Sequence, residues 1–278
     1  MATPPHPFLW RRAAIATLHG KERAIAGPLR DAFAIELDVL PLDTDRFGTF
    51  TGEIPRAGSQ HDALRAKLRA AADAAPRDAL VVASEGSFFP DPAFPAVTLD
   101  RELVAIYDPL RDIEIVGVAI ASARNVGSFT VGDERELDDA LACLDVPRHG
   151  AILVDGERYH KGLHDREAIA ALARAAWAHG TQPRIESDLR AHMHPTRMEL
   201  IAAAAQDAVN RALACCPSCE RPGYGIVERL PGLPCGDCGE PTERIASDVV
   251  RCDGCGAREE RRRNDAYASP GDCSYCNP

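Results

Sequence analysis

Ala79-Leu80-Val81-Val82-Ala83-Ser84-Glu85-Gly86-Ser87-Phe88 begins with five apolar residues that have no polar face and then turns to hydroxyls, a carboxylate and a glycine. Such a short run of Val, Leu and Ala reads as a strand buried on both faces, the position of a central strand in an α/β sheet. Its polar continuation, from Ser84 onward, reads as the loop after that strand. Upstream, Ala13-Ala14-Ile15-Ala16-Thr17 repeats the pattern and runs into Thr17-Leu18-His19-Gly20-Lys21-Glu22. A second strand over residues 34–40 delivers the chain into Asp43-Thr44-Asp45-Arg46-Phe47-Gly48-Thr49-Phe50-Thr51-Gly52-Glu53-Ile54-Pro55-Arg56. Between the strands lie helical stretches. One covers residues 21–26, breaks at Gly27-Pro28 and resumes over 29–33; another is capped by Ser59 and Asp62 and sets Leu64 and Leu68 on one face. Strands alternating with helices predict a mainly parallel sheet, in one domain or two lobes, whose post-strand loops gather at one edge.

From Glu102 to Val131 extended segments follow one another, an antiparallel extension or the start of a second lobe. Asp133 caps a helix bearing Leu137, Leu141 and Leu144, on which Cys143 reads as a small core residue. Residues 151–154 return as a strand, Lys161-Gly162 follows another, and residues 165–177 form an alanine-rich amphipathic helix. In Glu186-Ser187-Asp188-Leu189-Arg190-Ala191-His192-Met193-His194-Pro195-Thr196-Arg197, an extended backbone would point Asp188, Arg190, His192 and His194 the same way. A helix over about 196–213 follows, with Thr196 and Glu199 spaced as a capping box.

Charge and hydroxyls concentrate in loops that an α/β sheet collects, so these segments predict one cleft. Asp43, Asp45, Glu85 and His192 are the candidate catalytic residues, the carboxylates as base or as ligands of a divalent cation such as Mg²⁺ and the histidine as proton donor or ligand. His19, Lys21, Ser84, Ser87, Lys161, Arg190 and Arg197 are candidate ligand-binding residues, with the cations suited to a small anion.

The chain carries a formal net charge of −10, which opposes binding to nucleic-acid phosphate or to anionic membrane. No apolar run approaches the ~18 residues of a membrane span, and Met1 to Trp10 lacks the apolar centre of a signal peptide; a soluble cytoplasmic protein is the expectation.

Eight of the ten cysteines form four Cys-x-x-Cys pairs near the C-terminus: Cys216 and Cys219, Cys235 and Cys238, Cys252 and Cys255, Cys273 and Cys276. Four thiolate pairs among Gly, Pro and short strands supply two tetrahedral zinc sites, so residues 215–278 read as a zinc-ribbon-like domain after an α/β domain over 1–214. The hairpin around residues 245–251 favours the two middle pairs sharing one ion and the outer pairs the other; sequential pairing also fits the gaps. Cys215 is left spare. From Cys215 to Pro278 eight arginines face eleven Asp and Glu, so a protein contact or a stabilising role outranks nucleic-acid binding for this tail.

His19-Gly20-Lys21-Glu22, the Asp43 to Glu53 stretch, Ala83-Ser84-Glu85-Gly86-Ser87-Phe88, Lys161-Gly162, Asp188-Leu189-Arg190-Ala191-His192 with Pro195-Thr196-Arg197-Met198, and the paired cysteines together resemble a bacterial family of uncharacterised proteins, a domain of unknown function. The resemblance spans nearly the whole chain. Phe89-Pro90-Asp91-Pro92 departs from the pattern, where Gly and His would be expected. The family implies no activity. The residues themselves point to an enzyme acting on a small anionic substrate, phosphorylated or nucleotide-like. The alternatives are a non-catalytic sensor of the same ligand and an interaction module that docks a protein through its zinc tail.

Overall fold

Strand β1 (Ala13–Ala16), buried along its whole length, leads into helix α1 (Glu22–Phe33). The computed structural model describes residues 5–48 and 54–278, so Thr49, Phe50, Thr51, Gly52 and Glu53 of the long polar stretch lie outside the described residues. Pro28 does not interrupt α1 as the sequence suggests. It removes one backbone hydrogen bond, but Ile25, Leu29 and Phe33 recur on one buried face and hold the helix together. Strand β2 (Leu37–Leu40), helix α2 (Gln60–Ala74) and strand β3 (Leu80–Pro90) follow, with Ser59 and Asp62 forming the expected capping box.

The sheet corrects the parallel expectation. Only β1 pairs in parallel, with β2 on one side and β3 on the other. Strand β3 does not stop at Ala83; it runs on through Ser84, Glu85, Gly86 and Ser87, paired residue by residue with β4 (Thr98–Asp108), which pairs in turn with β5 (Ile113–Ser122). Seven residues join β3 to β4 and four join β4 to β5. Parallel neighbours need a crossover of about a dozen residues or more, so these connections can only make antiparallel hairpins. The sheet order is β2-β1-β3-β4-β5.

Strand β6 (Ser128–Thr130), helix α3 (Glu134–Cys143), strands β7 (Ala151–Asp155) and β8 (Arg158–Leu163), helix α4 (Arg166–Ala178) and strand β9 (Arg184–Ser187) build a second sheet, ordered β6-β9-β7-β8 and antiparallel throughout. Its core joins Leu137, Leu141 and Leu144 to Leu153, Ile169 and Ile185. Cys143 is exposed rather than part of that core, because the buried face of α3 is set by Leu137, Ala140 and Leu141. Lys161-Gly162 lies within β8, not after a strand.

Helix α5 (Pro195–Leu213) closes against the first sheet where Gly117 sits: a Cβ there would meet the backbone of Ala204 and Ala208 at 2.2 Å. The chain divides into two compact units, Met1–Val209 and Asn210–Pro278. The second is an antiparallel sheet of β10 (Gly225–Pro231), β11 (Ile245–Arg251) and β12 (Arg258–Arg262). Among the described residues no helix is long and apolar enough to cross a membrane.

Candidate functional site

Because β1 ends at Ala16 while β3 continues to Pro90, the edge of β3 beyond Val82 has no parallel neighbour. A cavity of about 190 Å³ occupies that place, lined from β1 and its following turn by Ala16, Thr17, His19 and Lys21, and from β3 by Ser84 and Glu85. Thr44, Asp45, Gly48 and Arg56 close it from the polar stretch, Lys67 from α2, Lys161 from β8, and Arg190, Ala191 and Arg197 from the segment after β9. Six cationic side chains thus face two carboxylates, Asp45 and Glu85.

Most of this charge is held in place by pairing. Glu85 is clamped between Lys67 on one carboxylate oxygen and Arg56 on the other, at 2.9 Å. Arg56 also donates to the Gly86 carbonyl, and Gln60 donates to the Glu85 carbonyl at 2.7 Å. Both oxygens of buried Asp188 accept from Arg190, and one also accepts from the Gly162 amide at 3.1 Å. Burial pushes the Asp188 carboxyl up, but the Arg190 bonds outweigh it and hold the group below its ordinary value. Arg197, fully buried, donates from Nε to Glu102 Oε1 at 2.8 Å and from Nη1 to the Leu189 carbonyl. Gly86 makes room for this pair: a Cβ there would meet Arg197 Nη2 at 2.4 Å and Glu102 Oε1 at 2.6 Å.

Lys21 differs from its neighbours. Its side chain is 7% exposed, lines the cavity and makes no hydrogen bond or ion pair among the described residues. Burial, reinforced by nearby Lys67, brings its ammonium down to about 8. A desolvated ammonium without a counter-charge is costly to hold, and the cavity around it is lined by further cations.

At the same cavity His19 Nε2 lies 3.2 Å from Asp45 Oδ1. Burial lowers the His19 pKa more than Asp45 raises it, so the imidazole is neutral near pH 7 and able to accept a proton.

The other candidates fall elsewhere. Asp43 is exposed and accepts from the Asp45 amide at 3.0 Å, a turn-forming bond typical of Asp. With both Glu85 oxygens taken by cations and Asp43 turned away, Asp43, Asp45 and Glu85 do not form a shared cation cradle. Ser87 is outside the cavity lining and accepts from Arg56 at 3.4 Å. His192 is exposed and stacks on His19 with ring centroids 5.3 Å apart. The expected common direction of His192 and His194 fails because β9 ends at Ser187 and residues 191–193 form a 3₁₀ turn, which sends His194 into the interior beside His149.

Lys67, Arg56 and Glu102 are site residues that the sequence does not single out, and Asp188, which it sets beside Arg190, turns out to be that arginine's partner. Lys67 carried a usable signal, since it falls beside Leu64 and Leu68 on the buried face of α2. So did Glu102, which shares its strand face with Val104 and Ile106.

In the second unit the cysteines form two groups, Cys216, Cys219, Cys252 and Cys255, and Cys235, Cys238, Cys273 and Cys276, each with sulfurs within 4.8 Å of one another. Measured edges are 3.6 and 3.7 Å in the first group and 3.7 and 3.9 Å in the second. A tetrahedron with metal–sulfur bonds of ~2.3 Å has edges of about 3.8 Å, so both groups have the dimensions to hold a metal ion. In every pair the fourth residue after the first cysteine donates its amide to that cysteine's carbonyl, at 2.8–3.0 Å, which curls the backbone around the sulfurs. The amides of Cys238 and Asp237 bring the Cys235 thiol down to about 7, favouring the thiolate a metal requires.

The pairing is interleaved, first with third and second with fourth, and so differs from both sequence-based schemes. The antiparallel sheet is the reason. Gly225 at the start of β10, Arg251 at the end of β11 and Arg258 at the start of β12 share one end of the ladder. The first and third cysteine pairs adjoin that end, and the second and fourth adjoin the other.

Residues 67–278 match the family described as domain of unknown function (DUF6671), and the chain belongs to that family. The matched region takes in Lys67, Glu85, Arg190, Arg197 and all eight paired cysteines, while His19, Lys21 and Asp45 precede it. No curated protein matches the chain.

Proposed function

In this member of the DUF6671 family we propose that the cavity of the first unit binds a small phosphorylated or nucleotide-like anion and that His19, oriented by Asp45, moves a proton in its conversion. The observation that carries this reading is Lys21, a buried ammonium without a partner in a cavity lined by six cations and two carboxylates. An anionic oxygen there would pair Lys21 and draw on Arg56, Arg190 and Lys161, recovering Coulomb energy that the desolvated amine lacks in the free protein. Neutral His19 would then deprotonate a water or hydroxyl directed at the bound group. Mg²⁺ enters as a companion of a polyphosphate substrate rather than as an ion seated on Asp43, Asp45 and Glu85.

For the tail, the edge lengths and thiolate donors support two structural zinc ions. Of the clustered arginines 258, 261, 262 and 263, three are paired within the tail, Arg258 on Glu228, Arg261 on Glu259 and Arg263 on Asp248. This pairing favours a stabilising or protein-docking role for the tail over nucleic-acid binding.

Calorimetric titration with inorganic phosphate and pyrophosphate tests the anion site: saturable binding is expected, weakened about tenfold or more in Lys21→Met. Release of phosphate from phosphomonoesters and nucleotides tests turnover, which His19→Asn should abolish while phosphate still binds. Binding with no turnover of any of these would leave a ligand sensor, and no binding of either anion would overturn the reading.

A further inference from the structure

A second cavity, of about 350 Å³, lies in the first unit and is lined by residues that include Phe88, Asp100, Arg124, His194, Thr196 and Leu200. Its volume falls within the range of small-molecule sites, ~300–1,000 Å³. Phe88 and Asp100 are register partners on β3 and β4, and Gly86 and Glu102 are the partners two residues along. The Arg197–Glu102 pair therefore sits between this cavity and Ser84 of the first one on the same sheet face.

What distinguishes the second cavity is unmet hydrogen bonding. Among the described residues, the buried side-chain atoms without a hydrogen-bond partner are Asp100 Oδ1, Glu102 Oε2, His149 Nδ1, which does lie 3.3 Å from Asp145 Oδ2, and both ring nitrogens of His194. Three of these five atoms belong to residues that line the cavity, Asp100 at 5% exposure and His194 at 1%. The other two are next to them: Glu102 follows Asp100 by two residues on β4, and the His149 ring centroid is 4.4 Å from that of His194. The Asn125 backbone is near the His194 ring without completing a hydrogen bond. Native interiors leave few polar groups unpaired, so a cluster of them around one cavity marks the place of something that supplies the missing partners.

The chemistry of the lining selects the class of molecule. The lining sets the carboxyls of Asp100 and Glu199 against the Arg124 guanidinium, and Glu199 is already paired with Arg148, so neither sign prevails and a neutral species fits best. Burial and the neighbouring His149 bring His194 down to about 4, which leaves a neutral ring with one donor and one acceptor nitrogen. Asp100 Oδ1 supplies a further acceptor. Phe88 and Leu200 add apolar surface.

We propose that this second cavity binds a small, neutral, planar molecule whose edge carries a hydrogen-bond donor beside an acceptor, a carboxamide or a nucleobase, held by Asp100 and His194. The proposal is independent of the anion site.

The test is titration of the full chain with nicotinamide and, separately, with cytosine, which distinguishes the carboxamide from the nucleobase. Saturable binding of at least one probe below about 10 mM is expected, weakened about tenfold or more by Asp100→Asn and by His194→Phe. Those positions are buried, so Ala121→Trp serves as a second variant: Ala121 is an exposed residue of the cavity lining, and a bulky ring there blocks entry without altering a buried polar group. A cooperative thermal unfolding transition near that of wild type verifies that each variant is folded, whatever the first cavity binds. No saturable binding of either probe, binding indifferent to Ala121→Trp, or a crystal soaked with both probes that shows only ordered water on Asp100 and His194 would each overturn the proposal.

Discussion

Arg197 and Glu102 form an ion pair withdrawn from solvent on both sides, with Arg197 Nε 2.8 Å from Glu102 Oε1. The pair ties helix α5 to strand β4, and the remaining guanidinium nitrogen reaches back to the Leu189 carbonyl. A buried pair of this kind adds little over a well-packed apolar pair, yet removing one partner strands the other charge. Arg197→Met should therefore lower unfolding free energy by roughly 3–5 kcal/mol in urea or heat denaturation. The double variant Arg197→Met with Glu102→Gln should recover much of that loss. Equal destabilisation of single and double variants would show that the arginine acts by shape rather than by charge.

The interleaved cysteine groups make a prediction about double substitutions. Cys219→Ser and Cys255→Ser belong to one group, so either alone or both together should leave one tightly held ion per chain. Cys219→Ser combined with Cys238→Ser strikes both groups and should leave none. Metal content after dialysis against a weak chelator decides the matter, since sequential pairing would spare one ion in the second double variant. Loss of a structural zinc forfeits binding energy of about 10–16 kcal/mol in small peptides, so local unfolding of the second unit should accompany it.

Asp100 gives a pH dependence with a definite sign. Burial first, and Glu102 second, raise its carboxyl to about 7 from an ordinary 3.8. The folded state therefore holds a proton that the unfolded state releases, and the stabilisation it brings is complete below about pH 4 and lost as pH rises through 7. Over that window Asp100 contributes a fall of up to about 1.4 kcal/mol per pH unit. Comparing unfolding free energies of wild type and Asp100→Asn from pH 4 to 8 isolates this term; parallel curves would refute it.

Much of the first cavity was legible because its residues sit in short polar segments that interrupt apolar runs: His19 and Lys21 after β1, Ser84 and Glu85 after Ala83, Arg190 and Arg197 around the start of α5. The topology was less so. Polarity at Ser84 and Glu85 reads as the end of a strand, whereas β3 carries them inside a paired ladder, and a strand can bear buried charge where Lys67 and Arg56 meet it. Those partners come from a helix and from a distant turn, and no local pattern announces a tertiary ion pair. Asp43 illustrates the converse, since its side chain serves the turn that presents Asp45 and local composition does not separate the two roles. For the cysteines, spacing allowed several pairings, and only the count and direction of the three strands selects one.

Lys21 yields the prediction that most sharply separates function from stability. A buried lysine that exists to hold the fold would be paired, and replacing it would destabilise the protein. Here the ammonium is unpaired and burial lowers it from 10.5 to about 8, so between those values the unfolded chain binds more protons than the folded one. Stability should rise with pH from about 8 to 10.5, and below pH 8 the full penalty remains, roughly 3 kcal/mol from the size of the shift. Lys21→Met keeps the length of the side chain, removes that penalty, and should raise unfolding free energy at pH 7 by an amount on the order of 1–3 kcal/mol while phosphate binding weakens about tenfold or more. Phosphate added to wild type should narrow the gap, because a ligand that binds only the folded state stabilises it by mass action, about 2.7 kcal/mol at a hundredfold excess over Kd. Thermal unfolding of both proteins with and without phosphate reads all three effects. A Lys21→Met protein less stable than wild type and equally responsive to phosphate would make Lys21 a structural residue and remove the basis for the anion site.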